Sequence, residues 1–396
     1  MTGAPAKPQM LTTLQALRAF AAVIVLVYHS NTEIFTNPKY FTSEPSHGLF
    51  QFGHAGVDIF FVLSGFIMFH LYRFDHGAAD MKNYLERRLI RIYPPYWIVL
   101  TALLGAGAAA YGRFSSGNVL SSYLLAPFTV GPYGSPKTVL IVAWSLYHEV
   151  LFYLLFAIFI WSRAAGVVVL GLWLAGSLIL LVAPGPAPAL ATFYFHPIHL
   201  LFGLGLFSAW ITEKVTRDTA LASIVLGALL FLLTAAADDR ASSLLPSQAR
   251  FLSYGLAAMG VIVGLVNLES RQAIRAPKAA VLLGDASYSI YLIHQPALVL
   301  VAKVIARLAP ATRADAGFFE IAMPLFAIAA GVALHLAVEK PLIHRLTARI
   351  RQPRAGLSPK ASAAGDFFQR DAMAPPPHLE PERSSPVQPR GDSLPL

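Results

Sequence analysis

The chain has 396 residues, of which 56% are apolar and only 13% charged, and its mean hydropathy is +0.58. That much apolar surface exceeds what a soluble domain of this length buries, which excludes an ordinary cytosolic enzyme and predicts an all-α, polytopic integral membrane protein. The lack of cysteine removes disulfides, thiolate zinc ligands and a cysteinyl acyl intermediate, and the net charge of +9 reads as membrane topology with no nucleic-acid partner.

The first ten residues, MTGAPAKPQM, show no small-residue cleavage site after a short apolar core, so the first span is expected to be retained and no signal peptide is inferred. Segments of about twenty apolar residues, the length that crosses a hydrocarbon core, predict ten spans. They lie near 11–30, 55–72, 90–110, 139–161, 166–183, 192–211, 219–236, 251–267, 286–306 and 318–338. Pro94 and Pro95 in the third and Pro296 in the ninth are expected to end, kink or start helices. An even number of spans puts both termini on one side. With the N-terminus inside, 22 of the 30 Lys and Arg fall on the inner side and 8 on the outer, so both termini are expected in the cytoplasm. Beyond residue 350 the chain holds nine prolines in 46 residues without apolar periodicity. The expected organisation is a short cytoplasmic N-terminus (1–10), a membrane domain (11–345) and a disordered Pro-rich cytoplasmic tail (350–396). No internal repeat supports an inverted-repeat transporter.

Polar residues inside the spans carry the functional signal, because an intramembrane ionisable group needs a partner or a wet cavity. In LRAFAAVIVLVYHS, Arg18 and His29 are eleven residues apart, about 16 Å of helical rise and roughly 20° from a whole number of turns, so both project from one face. Asp58 opens the second span in HAGVDIFFVLSGF at a depth comparable to His29, and could orient the imidazole or pair structurally. Ser64 and Gly65 in the same span read as a close helix contact. Arg87, Arg88 and Arg91 in NYLERRLIRIYPPYW have helical spacings of three and four and could grip phosphate oxygens, or anchor anionic lipid. Glu149 lies mid-span in VAWSLYHEVLFYLLF, where an unpaired carboxylate is expensive, while His148 projects about 100° away from it. His196 and His199 have a two-His spacing, but a proline lies between them and no carboxylate is near, so no metal site is expected. Tyr288, Tyr291 and His294 form one stripe in LGDASYSIYLIHQPAL.

Taken in order, the Arg–x10–His pair, GVDIFFVLSGF, RRLIRIYPPYW, WSLYHEVLFY, LGDASYSIYLIHQPAL and VEKPL resemble acyltransferase family 3, the bacterial integral-membrane acyltransferases, and look closest to its exopolysaccharide-modifying branch. The resemblance covers about residues 11 to 345. It implies ten core helices in a bacterial inner membrane, no required metal or permanently bound cofactor, and transfer of an acyl group, usually acetyl, from cytoplasmic acyl-CoA to a glycan or lipid-linked saccharide hydroxyl. Carried onto this sequence, the motifs fall on Arg18 and His29, on Arg87, Arg88, Arg91 and Pro94, on Trp144 and Glu149, and on Asp58.

The bare chemistry agrees. A neutral imidazole can take the proton of a weakly nucleophilic hydroxyl, which makes His29 the expected general base, with Asp58 or Glu149 as the carboxylate that orients it. Arg18 and the Arg87, Arg88, Arg91 cluster are expected to bind the phosphates of CoA, and Trp144, Tyr288, Tyr291 and His294 to line the polar pathway. The alternative from another class is a proton-coupled transporter or flippase using His29, Asp58 and Glu149 as a relay.

Overall fold

In the computed structural model the residues described are 11–37, 40, 49–106, 114–131, 134–183, 185, 187–238, 246–308 and 316–350. Residues 1–10, the proposed tail from 351 and several of the loop cations used for the topology argument lie outside them. Fourteen helices are described: α1 (Thr12–His29), α2 (Ala55–Tyr72), α3 (Ala78–Gly105), α4 (Ser116–Leu124), α5 (Trp144–Trp161), α6 (Arg163–Val182), α7 (Ala189–Tyr194), α8 (Leu200–Ile211), α9 (Arg217–Asp238), α10 (Ser247–Ser270), α11 (Lys278–Asp285), α12 (Ser287–Leu308), α13 (Ala316–Leu334) and α14 (Lys340–Ile350). No β-strand occurs among the described residues, which satisfies the demand that backbone in hydrocarbon bond within its own segment.

Nine helical segments among the described residues are long and apolar enough to cross a membrane, and the chain is a multi-pass α-helical membrane protein. They cover every expected span except the third. That one falls in α3, a 28-residue helix whose N-terminal half carries Lys82, Glu86, Arg87, Arg88 and Arg91 and so fails as a purely apolar span. No helix ends or starts at these prolines: α3 is continuous through Pro94 and Pro95, and α12 through Pro296. Neighbouring helices and ordered side chains can satisfy the backbone groups that proline frees.

α1 shows how distant sequence builds a local element. Its first turn has no acid and its N-cap, Leu11, has no capping side chain. Glu269, at the end of α10, supplies the missing acceptor: Oε1 accepts from the backbone N–H of Thr12 at 2.7 Å, and Oε2 from that of Thr13 at 2.9 Å. A carboxylate at a helix N-terminus satisfies orphan donors and opposes the positive end of the dipole. At the other end α1 widens into a π-helical segment, Ser30–Phe35, where the sequence turns polar as SNTEIF. A second π-helical segment, His335–Glu339, joins α13 to α14.

α2 is the centre of the bundle, packed on α1, α8 and α10. Gly65 behaves as expected, because a side chain there would strike the backbone of Phe202, and one at Gly205 the backbone of Phe66, so the two glycines let α2 and α8 touch. Ser64 does not share that role: its hydroxyl points into the interior described next. α12 runs past α1, α3 and α13 and contributes to both ends of the polar interior.

Candidate active site

Five helices line a cavity in the interior of the bundle. Its polar lining comes from α1 (Arg18), α2 (Ser64), α3 (Arg88, Arg91), α5 (Ser145, Glu149, Tyr153) and α12 (Ser287, Tyr288, Tyr291). Three guanidinium groups and one carboxylate give it a net positive lining. Residues up to 273 positions apart, from Arg18 to Tyr291, are thereby brought together.

Each charged group is held in a particular way. Arg88 is buried, donates to the Tyr72 hydroxyl at 2.7 Å, and lies over the rings of Tyr72 and Tyr153 at 5.3 and 5.9 Å. Arg91 pairs with Glu339 and sits 5.6 Å from the centre of the Tyr288 ring. Glu339 is fully buried, and its other oxygen accepts from Ser289 at 2.6 Å and from the His335 Nδ1–H at 2.8 Å. Arg18 differs: its one hydrogen bond among the described residues is to Gln15 at 3.4 Å, and no carboxylate lies within ion-pair distance. Arg18 is therefore the cavity cation best placed to receive a ligand anion. Arg87 does not line the cavity; consecutive helical residues diverge by about 100°, and its charge acts on Asp75 instead.

Glu149 lines the cavity and accepts from the Ser64 hydroxyl at 3.1 Å and the Tyr153 hydroxyl at 2.5 Å. Tyr288 donates to the Ile92 carbonyl, and Tyr291 to the Val142 carbonyl while accepting from Ser145, all at 2.7 to 2.8 Å. Trp144 is not in the lining; it packs edge-on against Phe61 and His148.

His29 lies beyond the cavity, at the far end of α1 from Arg18. Its Nδ1–H donates to Glu33 Oε1 at 2.9 Å, and Glu33 Oε2 accepts from Gln295 Nε2 at 2.7 Å. The orienting carboxylate is thus Glu33, four residues on in the π-helical segment. Neither Asp58 nor Glu149 fills that place. Asp58 is buried against a different network, where it feels Asp238 and Arg250; Glu149 is bound to Ser64 and Tyr153. Asp238 in turn accepts from His54 at 2.7 Å and Arg250 at 2.5 Å. His294 lies between the cavity and His29: the two imidazole centres are 5.1 Å apart, and His294 is 5.7 Å from the ring of Tyr291. His148 and His199 share a hydrogen bond of 2.8 Å in an aromatic cluster behind Phe61, where His148 stacks on Phe193 and His199 on Trp173.

Glu33, Gln295, Glu339 and Tyr153 were not among the expected site residues. Within residues 11–345 the spacing His-x3-Glu occurs twice, as HSNTE and HLAVE, and is a usable signal. The first glutamate lies beyond the expected first span, which ends near residue 30, and the second lies in VEKPL, to which the sequence assigns no chemistry.

The model of the family described as an acyltransferase domain matches residues 11–339. This chain belongs to that acyltransferase family. The exopolysaccharide production protein ExoZ of Rhizobium meliloti (strain 1021) is 34% identical over 331 residues, 79% of this chain and 96% of that protein. The acyltransferase MdmB of Streptomyces mycarofaciens is 25% identical over 87% of this chain and 95% of its own length. The O-acetyltransferase OatA of Staphylococcus aureus is 28% identical over 100 residues, 24% of this chain and 14% of that protein. No solved structure matches. The matched region contains Arg18, His29, the arginines of α3 and Glu339, so the cavity and the His29–Glu33 pair belong to the acyltransferase domain. The chain is a membrane acyltransferase.

Proposed function

We propose that this acyltransferase moves an acyl group, most simply acetyl, from acyl-CoA to a hydroxyl of an exopolysaccharide or another cell-envelope glycan, with His29 as general base. The observation that carries the reading is the His29–Glu33 pair. An imidazole whose Nδ1–H is committed to a carboxylate presents the lone pair of Nε2, the tautomer needed to take a hydroxyl proton, and the carboxylate stabilises the imidazolium that forms. Gln295 holds Glu33 from a different helix, so the pair does not depend on α1 alone.

The cavity supplies the donor side of this reading. Arg18, Arg88 and Arg91 attract the phosphates of CoA, with Arg18 making the new contact because Arg88 and Arg91 are already braced. Arg18 and His29 are separated by about 16 Å along α1, so an extended pantetheine arm running past Ser64 and Tyr291 brings the thioester toward His29. The base takes the hydroxyl proton, the alkoxide oxygen attacks the carbonyl carbon, and the C–S bond breaks to release CoA. By charge placement the arginine end faces the cytoplasm and the His29 end the outer side of the inner membrane, which puts donor and acceptor at opposite ends of one path. The name of ExoZ is what brings an exopolysaccharide into the proposal.

The test is thiol release from acetyl-CoA by purified, detergent-solubilised protein supplied with polysaccharide from the producing cells. The expected result is acceptor-dependent release that falls by about 10²- to 10⁴-fold in His29→Ala with unchanged membrane insertion. Near-normal acylation by that variant would remove His29 from the chemistry.

A further inference from the structure

A base that removes the acceptor proton must pass it on, and the leaving sulfur needs one. His294 stands where both demands meet; the inference rests on the acyl-transfer reading above. His294 is buried at 1% exposure. Its Nδ1–H donates to the Tyr291 carbonyl at 2.7 Å, so the proton sits on Nδ1 and Nε2 carries a bare lone pair. That Nε2 is buried with no hydrogen-bond partner among the described residues. Leaving a buried polar atom unpaired is costly, and such an exception in a native site calls for an explanation.

Geometry supplies one. The His294 ring centre is 5.1 Å from that of His29, whose Nδ1 is bound to Glu33 and whose Nε2 makes no hydrogen bond among the described residues. On its other side His294 neighbours Tyr291, whose ring lines the arginine-bearing cavity. It is therefore the imidazole between the expected thioester path and the expected base.

We propose that His294 is the general acid of the reaction, receiving at Nε2 the proton that His29 takes from the acceptor and delivering it to the sulfur of the departing CoA. The steps balance without a further reagent. The acceptor O–H bond breaks, its proton binds His29 Nε2, and the oxygen bonds to the thioester carbon. The proton passes from His29 Nε2 to His294 Nε2, directly or across one bridging hydroxyl. The C–S bond breaks with its electron pair on sulfur, and His294 protonates the thiolate. An ester and a free thiol result, and both imidazoles return to neutral. Throughout, the Tyr291 carbonyl keeps the Nδ1 proton in place, so that only Nε2 exchanges.

The experiment compares two donors on the full chain in detergent, with polysaccharide from the producing cells as acceptor. Acetyl-CoA releases an alkyl thiolate that benefits from a proton; S-(4-nitrophenyl) thioacetate releases an aryl thiolate that leaves without one. For His294→Gln the expected loss in kcat is about 10²-fold with acetyl-CoA, with most activity recovered on the aryl thioester and acetyl-CoA binding unchanged. His29→Gln is expected to lose activity with both donors. Equal deficits of His294→Gln on both donors, or full activity with acetyl-CoA, would overturn the general-acid role while leaving acyl transfer intact. A wild type that releases thiol from neither donor overturns the parent reading and this one with it.

Discussion

The same local device occurs twice among the described residues with opposite outcomes. His29–Glu33 and His335–Glu339 are both i,i+4 pairs in which Nδ1–H donates to a glutamate, both lie in or against a π-helical segment, and both are braced by α12, through Gln295 and Ser289 respectively. The first pair keeps partial exposure, 17% for His29 and 37% for Glu33; the second is closed, at 8% and 0%. Glu339 also spends its second oxygen on Arg91. Both oxygens of Glu33 are committed as well, to His29 and Gln295, so what separates the pairs is the arginine and the exposure: the sealed, arginine-bound pair is a brace, and under the proposed function the more open pair is the reagent. π-helical segments recur at functional sites because the extra residue breaks the regular ladder and re-aims side chains, and on the proposed function one here serves chemistry and the other supports it.

Substitutions at the two glutamates separate these roles. After His29→Ala, the largest effect on activity, Glu339→Ala is expected to be the most damaging, acting on folding. Removing one partner of a buried ion pair strands the other, at about 3–5 kcal/mol, so a lower Tm and loss of well-inserted protein are expected in a thermal melt of purified material. A melt indistinguishable from wild type would mean that Glu339 does not brace Arg91. Glu33→Gln is expected to leave the melt nearly unchanged and to lower kcat on the order of 10²-fold, because the imidazolium loses its counter-charge while the side chain keeps its shape. If Glu33→Gln lowers Tm as Glu339→Ala does, the contrast between reagent and brace collapses.

The smallest expected effect is at the loop joining α2 to α3. Asp75 is half-buried, and desolvation, with the Asp80 carboxylate nearby, pushes its carboxyl up to about 6. A folded-state value above the unfolded one favours the protonated form, so the associated stability is complete below about pH 4 and is lost as pH rises through about 6. Asp75→Asn is therefore expected to raise Tm slightly at pH 7.5 and to match wild type at pH 4.5. An equal offset at both pH values would assign the effect to packing. Arg163 clamps the same loop through the carbonyls of Arg73 and Asp75, so a change of charge there is felt against a fixed backbone.

Much of this was written in contiguous sequence. Runs such as FAAVIVLV and the glycine of VLSGF specify a membrane-spanning helix and a close helix contact because hydrocarbon thickness and helix rise are local constraints. The positions of Arg18, His29, Arg88, Arg91, Glu149, Tyr288 and Tyr291 stood out for the same reason, since a polar side chain in an apolar run is visible without knowing its neighbours. Partnership was not visible in this way. Arg87, Arg88 and Arg91 were equivalent by spacing, yet only the last two line the cavity. Asp58 matched His29 in depth, yet its interactions lie with Asp238 and Arg250.

The sequence by itself determined the class of molecule, the spans, the family and the set of polar residues too costly to leave facing lipid. Only the tertiary structure decided which of them meet: that Glu33 bonds His29, that Gln295 and Ser289 on one helix brace two glutamates, and that His294 stands between His29 and the cavity. The reason is physical. Burial of an apolar run depends on its own composition, whereas a hydrogen bond of about 2.8 Å depends on the relative rotation and depth of two helices, set jointly by every contact across their interface.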